Sequence, residues 1–438
     1  MVACCQAEGA RTTAERDPAA AGLSRRRALP LALGSVAGSG ILFLPSAVYA
    51  EAGSNVLIVW AVATALCLPM LLMFADVVRD HPGGDGIEAF VRLGLGSAVA
   101  STVPILFGAV VVIGLPAGAM VAGRYVADAL NAGTPVAIVT AVGVLGFAVL
   151  TCLAGTTASA RLQLVGAATL LLTAAALITA SLPGSGHLVG AVTPNADLAG
   201  VVLPGVLLAF WTFVGFENLT FLSGELRSPR RDFLPVSAAA LGIYAVLTMG
   251  LSTAIAARIP QSDVDEVTGL LQLADTTPAR TIGVAAVTVV AFGAMLLNAV
   301  AWVWGVSRLV ADAAKRRILP AALGAAGTGS VPRRAILALT GLFAVTLTTL
   351  AIRPDLIVDA VGAASATFVL LYILSIVSYV RVRGITIRST LNLALLLIFV
   401  PSLAQSGWRS VVAGSCLVVA LAVAVTRAHR QATHAAAG

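Results

Sequence analysis

The chain has 438 residues, of which 59% are hydrophobic and only 11% charged, and its mean hydropathy is +0.98. Soluble domains carry about 25% charged residues, so a chain this poor in charge cannot cover itself with a water-facing surface, and its outer face must meet lipid. The formal net charge of +7 would suit a nucleic-acid partner, but the placement of the arginines excludes that reading.

In chain order, residues 1–28 read as a polar cytoplasmic tail that ends on Arg25, Arg26 and Arg27. The apolar run Leu29–Ala50 follows. Basic residues ahead of an apolar run, with Val48-Tyr49-Ala50 as a small-residue cleavage site, resemble a signal peptide. A run of this length instead suits a membrane span of about 20 residues, whereas a signal h-region has roughly 7–15. Further apolar stretches recur at 55–78, 98–127, 135–155, 161–182 and 200–222, then at 234–257, 280–307, 335–352, 357–380, 390–405 and 409–426. Backbone groups in hydrocarbon must be satisfied within their own segment, so each stretch is expected to be helical. The expectation is an all-α integral membrane protein with twelve transmembrane helices.

Lysine and arginine placement tests that count, because basic residues concentrate on the cytoplasmic side. With the N-terminus inside, 22 of the 27 basic residues fall on the cytoplasmic side; only Arg124, Arg258, Arg280, Arg353 and Arg409 fall outside. A miscounted middle span would switch every later loop and spoil the split. Both termini are therefore expected in the cytoplasm of a multi-pass protein of the cell membrane, and no nucleic acid is needed to explain the charge.

Two spans carry interruptions. In the first, Gly38 and Gly40 weaken helix, and Pro45 cannot donate a hydrogen bond toward Ile41. Small residues there serve either close helix packing or an unwound hinge whose bare N–H groups suit a carboxylate. The sixth reads Phe210-Trp211-Thr212-Phe213-Val214-Gly215-Phe216-Glu217. Gly215 offers a second hinge, and Glu217 is the acidic residue set deepest in an apolar run. An ionised carboxylate at the bilayer centre costs about 2.5–3.5 kcal/mol on insertion scales, and its default reading is functional. Burial disfavours its charge, so Glu217 is a candidate for proton coupling. Trp211 could equally face lipid. Spans one and six lie five helices apart, an odd offset that inverts orientation. Interrupted segments at matching positions of two halves point to a transporter's binding site. The chain therefore divides into a first five-helix repeat at 29–182, an inverted second repeat at 200–381, helices 11 and 12 at 388–427, and a cytoplasmic tail at 428–438.

Asn298, in the eighth span, either bonds between helices or lines the cavity. Asp76 is expected to snorkel or pair with Arg79, and Arg124 with Asp128. The loop holding Asp263, Asp265 and Glu266 is read as solvated. The five cysteines show no metal-ligand or disulfide spacing, and the four histidines fall in loops or the tail. No Gly-x-x-x-x-Gly-Lys loop appears. No catalytic residue, metal or cofactor is expected, and the chain is not read as an enzyme.

Several of these segments resemble the amino acid–polyamine–organocation (APC) superfamily of permeases. They are Gly38-Ser39-Gly40-Ile41 with Pro45, Phe213-Val214-Gly215-Phe216-Glu217, Glu225-Leu226-Arg227-Ser228-Pro229-Arg230-Arg231, His81-Pro82-Gly83-Gly84 and Ser307-Arg308-Leu309. Ile113-Gly114-Leu115-Pro116-Ala117, Phe210-Trp211-Thr212 and Gly407-Trp408-Arg409-Ser410 are similar to the L-methionine and branched-chain amino-acid exporters within it. The resemblance implies a LeuT-like 5+5 inverted repeat plus two C-terminal helices. It also implies a substrate carboxylate at the N–H groups of Ser39, Gly40 and Ile41, and an ammonium at the carbonyls of Val36, Trp211 and Val214. Trp211 would close over the substrate, and Glu217 would link protonation to transport. The expected partners are an amino acid, protons and lipid, with a homodimer left open. The expected activity is proton-coupled efflux of a neutral, apolar amino acid; exchange, proton-coupled uptake and a channel are the rivals.

Overall fold

The computed structural model describes residues 23–36, 40–80, 86–155, 160–181, 198–213, 226–324 and 331–437. Among them there is no strand, only an isolated bridge between Leu23 and Leu226. Ten helical runs among the described residues are long and apolar enough to cross a membrane, and Val202–Phe213 is a shorter apolar helix.

The first of the ten, Gly40–Asp80, holds 41 residues and consists of two antiparallel helices, α2 (Gly40–Ala52) and α3 (Val56–Asp80), preceded by α1 (Arg25–Val36). The chain reverses at Gly53, whose φ of +52° is one that side-chain-bearing residues seldom adopt. One polar relay proves the reversal. The Trp60 indole donates to Ser252 Oγ at 2.8 Å, and Ser252 Oγ donates to the Pro45 carbonyl at 3.0 Å. Residues 45 and 60 thus stand at the same height against α9 (Pro229–Arg258).

Two expected spans are redrawn. The stretch 98–127 divides into α4 (Gly86–Ala100) and α5 (Val103–Ala129). Ser101 and Thr102 turn their hydroxyls back onto the carbonyls of Ala98 and Val99, and Pro104 starts the next helix. The stretch 390–405 bends at Leu395 into α14 (Ile387–Ala394) and α15 (Leu396–Gln405). Asn392 there donates to the Pro69 carbonyl at 3.0 Å. The remaining helices are α6 (Thr134–Leu153), α7 (Ala160–Ser181), α8 (Leu198–Phe210), α10 (Gly269–Asp275), α11 (Arg280–Lys315), α12 (Arg333–Ile352), α13 (Ile357–Arg383) and α16 (Trp408–Ala437).

Helices α5 and α13 are the most enclosed of the long helices, whereas α7, α11 and α16 present much of their length outward. Outward positions are apolar, among them Val139, Leu150, Leu172, Val345 and Val418. Charge collects at the two ends of the bundle. At one end Asp76, 5% exposed, accepts from Tyr379 Oη at 2.5 Å and Arg388 at 2.6 Å, with Arg79 at 3.5 Å. Asp80 pairs with Arg383, Glu88 with Arg316, and Arg25 with Asp232. Arg79 is therefore only one member of the Asp76 cluster, because the C-terminal end of α13 and the N-terminal end of α14 fold over it.

At the opposite end Arg124 meets Asp128 at 3.4 Å and Asp265 at 3.0 Å. The reading of Asp265 as simply solvated is corrected. Its carboxylate also accepts the amides of Val267 and Thr268, at 2.9 and 2.7 Å. Burial works to raise this carboxyl, but the Thr268 amide, the Arg124 guanidinium and the Val267 amide outweigh it and hold its pKa below the ordinary aspartate range.

Candidate functional site

The two spans expected to be interrupted meet in the middle of the bundle. Helix α1 is described as far as Val36 and α2 from Gly40; Gly38 and Ser39 between them lie outside the described residues, as does the side chain of Val36. Helix α8 gives way to a 3₁₀ turn at Trp211–Phe213. Aromatic and β-branched residues there are weak helix formers, which suits a tightened last turn. Val214, Gly215 and Glu217 lie outside the described residues.

Gly40 and Thr212 are the point of contact. A Cβ on Gly40 would stand 2.9 Å from Thr212 Cα and 3.1 Å from Thr212 Oγ1. No side chain fits there, so backbone faces backbone. Thr212 is 3% exposed, and among the described residues its hydroxyl has no hydrogen-bond partner. Gly40 and Thr212 thus bring a close backbone approach and an unpartnered hydroxyl to one buried place. Side chains from three helices hold the two sides of this junction in place. Tyr125 Oη of α5 donates to the Leu42 carbonyl at 2.5 Å, Ser252 of α9 bonds Pro45 as above, and Trp60 of α3 packs edge-on against Phe213 with ring centroids 6.2 Å apart. Ile41 is buried.

The half-buried Trp211 ring lies against Gly114 of α5; a Cβ there would run into the indole and stand 3.3 Å from Ala364 Cβ of α13. Further along the same two helices, toward the arginine-rich end, Phe107 packs on Trp302 and Phe368 with centroids 5.8 and 5.5 Å apart. Asn298 is half-buried on α11, one turn from Trp302 and so on the same face. No residue of α2 before Glu51, of α8 and its 3₁₀ turn, of 103–123 in α5 or of 360–380 in α13 carries a charged side chain. Such walls suit an apolar group.

Of the nine expected binding residues, Gly40, Ile41, Trp211 and Asn298 are described in full. The first three belong to the junction, and Asn298 lies on a neighbouring helix face. Thr212, Gly114 and Tyr125 were not singled out as site residues. Thr212 and Gly114 lie inside the motifs that carry the family resemblance, a signal that could have found them; nothing local marks Tyr125.

Comparison with known proteins points the same way. The profile of the amino acid permease family matches residues 23–426. The chain is 30% identical over 203 residues to the L-methionine/branched-chain amino acid exporter YjeH of Escherichia coli, covering 45% of this chain and 47% of that one. It therefore aligns with about half the length of that exporter. It is 25% identical over 368 residues to the amino acid permease YecA of Bacillus subtilis, covering 81% and 83%. With the cadaverine/lysine antiporter of Escherichia coli it shares 23% over 381 residues, covering 82% and 83%. A helical bundle clad in apolar side chains, with its charge at both ends and a family profile along nearly its whole length, is a multi-span membrane transporter, and this chain belongs to the amino acid permease family.

Proposed function

We propose that the chain is a secondary transporter of neutral, apolar amino acids that exports them in exchange for protons. One observation carries the reading: the backbone-to-backbone contact of Gly40 in α2 with Thr212 in the 3₁₀ turn that follows α8. The substrate carboxylate takes the N–H groups of Ser39, Gly40 and Ile41. Its ammonium takes carbonyls of Val36, Trp211 and Val214, with Gly38 and Gly215 as hinges. Trp211 closes over the substrate, and the aromatic wall of Phe107, Trp302 and Phe368 favours an apolar side chain. Glu217 carries the coupled proton.

The accompanying architecture is twelve spans in a LeuT-like arrangement, with repeats at 29–182 and 200–381 and helices 11 and 12 at 388–427. Both termini face the cytoplasm of the cell membrane, the orientation that the arginine-rich end supports. Export is favoured by the likeness to a methionine and branched-chain exporter. Exchange of one amino acid for another is the second reading, favoured by the likeness to an antiporter.

The test is reconstitution into liposomes with labelled leucine, methionine, lysine and γ-aminobutyrate, with and without an imposed pH gradient. Gradient-dependent movement of leucine or methionine, but not lysine, is the expected result. Movement of lysine alone, or of none of them, overturns the reading; movement that needs an amino acid on the opposite side and ignores pH selects exchange.

A further inference from the structure

Arg409 belongs to a peripheral helix yet reaches into the bundle. It is the second residue of α16, a helix that exposes Val411, Val418 and Val425. Its own side chain is only 16% exposed. The stem crosses α13 at Gly362, where a Cβ would stand 2.7 Å from Arg409 Cδ. Glycine at 362 therefore makes the passage. The guanidinium then divides between two helices: Nε donates to Asp359 Oδ1 at 2.7 Å, and a terminal nitrogen approaches Glu51 Oε2 at 3.4 Å. Asp359 lies in the first turn of α13, and Glu51 is the penultimate residue of α2, the helix whose other end carries Gly40.

We propose that Arg409 is a releasable clip that fastens the C-terminal end of α2 to the N-terminal end of α13, so that this end of the central junction opens only when the guanidinium lets go of Glu51. The clip is a control on the amino-acid site proposed above and rests on that reading.

Three features distinguish a clip from a static strut. A planar guanidinium has donors enough for two carboxylates at once, and here the two sit on separate helices. The contacts are unequal, so Glu51 parts first. Glu51 and Asp359 side chains are each 27% exposed, which leaves water at hand to replace the arginine; partly hydrated pairs separate at low cost. Cargo for the movement is also in place. The loop ahead of α10 rides on α2, since Ser46 Oγ donates to the Glu266 carbonyl at 3.1 Å and Gln261 donates to the Ala50 carbonyl at 2.8 Å.

The experiment is a distance measurement between nitroxides at Ser262→Cys, on the loop that rides on α2, and Ile352→Cys, exposed at the end of α12. The native cysteines are replaced by alanine, in the full-length protein in lipid nanodiscs. Glu51→Gln removes the weaker ion pair with little change of shape. It should increase the long-distance population about two- to five-fold, the range of a partly exposed pair. Arg409→Met should do the same, and most of its effect should vanish in a Glu51→Gln/Asp359→Asn background, where only the attraction of Glu266 remains. Unchanged distances in a Glu51→Gln protein that melts like its parent overturn the clip. So does an Arg409→Met effect that persists in full in the doubly neutral background. If Arg409→Met does not fold, Glu51→Gln decides alone. The distances need no substrate, so a clip that responds in a protein binding no amino acid refutes the transporter reading and not the clip.

Discussion

Replacing Gly40 by alanine is the sharpest perturbation of the central junction. The added methyl would lie 2.9 Å from Thr212 Cα, whereas carbon atoms rest about 3.5–4.0 Å apart. The obstacle is backbone, which has no rotamer to adopt. Helix α2 and the Trp211–Phe213 turn must therefore part by at least about 0.6 Å, the difference between 3.5 and the 2.9 Å observed. Overpacking of this kind costs about 1–3 kcal/mol of stability. A hydrogen bond of about 2.9 Å stretched by that amount reaches the limit at which it ceases to be one. Losing one charge-assisted bond, worth about 1.5–3 kcal/mol, weakens affinity roughly 10- to 150-fold. Equilibrium binding of labelled leucine and methionine to purified protein, beside its melting curve, reads both effects. Affinity within about twofold of wild type would refute the argument. A lowered melting temperature with unchanged affinity would leave Gly40 as a packing residue and move the site elsewhere.

Three further outcomes are expected. Gly114→Ala displaces the Trp211 ring that now occupies that space, so it should slow substrate release or capture more than it lowers stability; kinetics identical to wild type would detach Trp211 from the transport cycle. Glu217→Gln should insert and fold but flatten the pH profile of transport, and a preserved profile would remove Glu217 from proton coupling. The depressed Asp265 carboxyl stabilises its loop above the ordinary aspartate pKa of about 3.9, and that contribution is lost as pH falls through the lower folded value. Arg124→Met removes an attractive charge, so the pH at which residues 264–275 lose hydrogen-exchange protection should rise; an unmoved transition would mean that the Thr268 and Val267 amides alone hold the carboxylate.

Much of the molecule was legible from one-dimensional pattern. Apolar runs near the length of a bilayer marked the long helices, because lipid forces each segment to satisfy its own backbone. The boundaries that failed did so where side chains intervened. The hydroxyls of Ser101 and Thr102 end α4, and hydropathy is blind to that competition. Asp265 looked solvated because its composition is that of a loop, while its partner Arg124 lies 141 positions away. Glycine at 40 was noticed as a weak helix former, but its reason is the Thr212 backbone across the junction, 172 positions along the chain (212 − 40).

Composition, hydropathy period and the sidedness of arginine are sums over neighbouring residues, and they were enough to determine a lipid-embedded helical chain and to single out the two spans that meet at Gly40 and Thr212. Which atoms meet between those spans is a matter of pairing between segments more than a hundred residues apart. Only the folded packing decided that Thr212 stands against Gly40, that Trp211 fills the space left by Gly114, and that Arg409 crosses Gly362 to reach Asp359 and Glu51. Such contacts depend on sub-ångström fit between helix faces, and no local property of the chain carries that information.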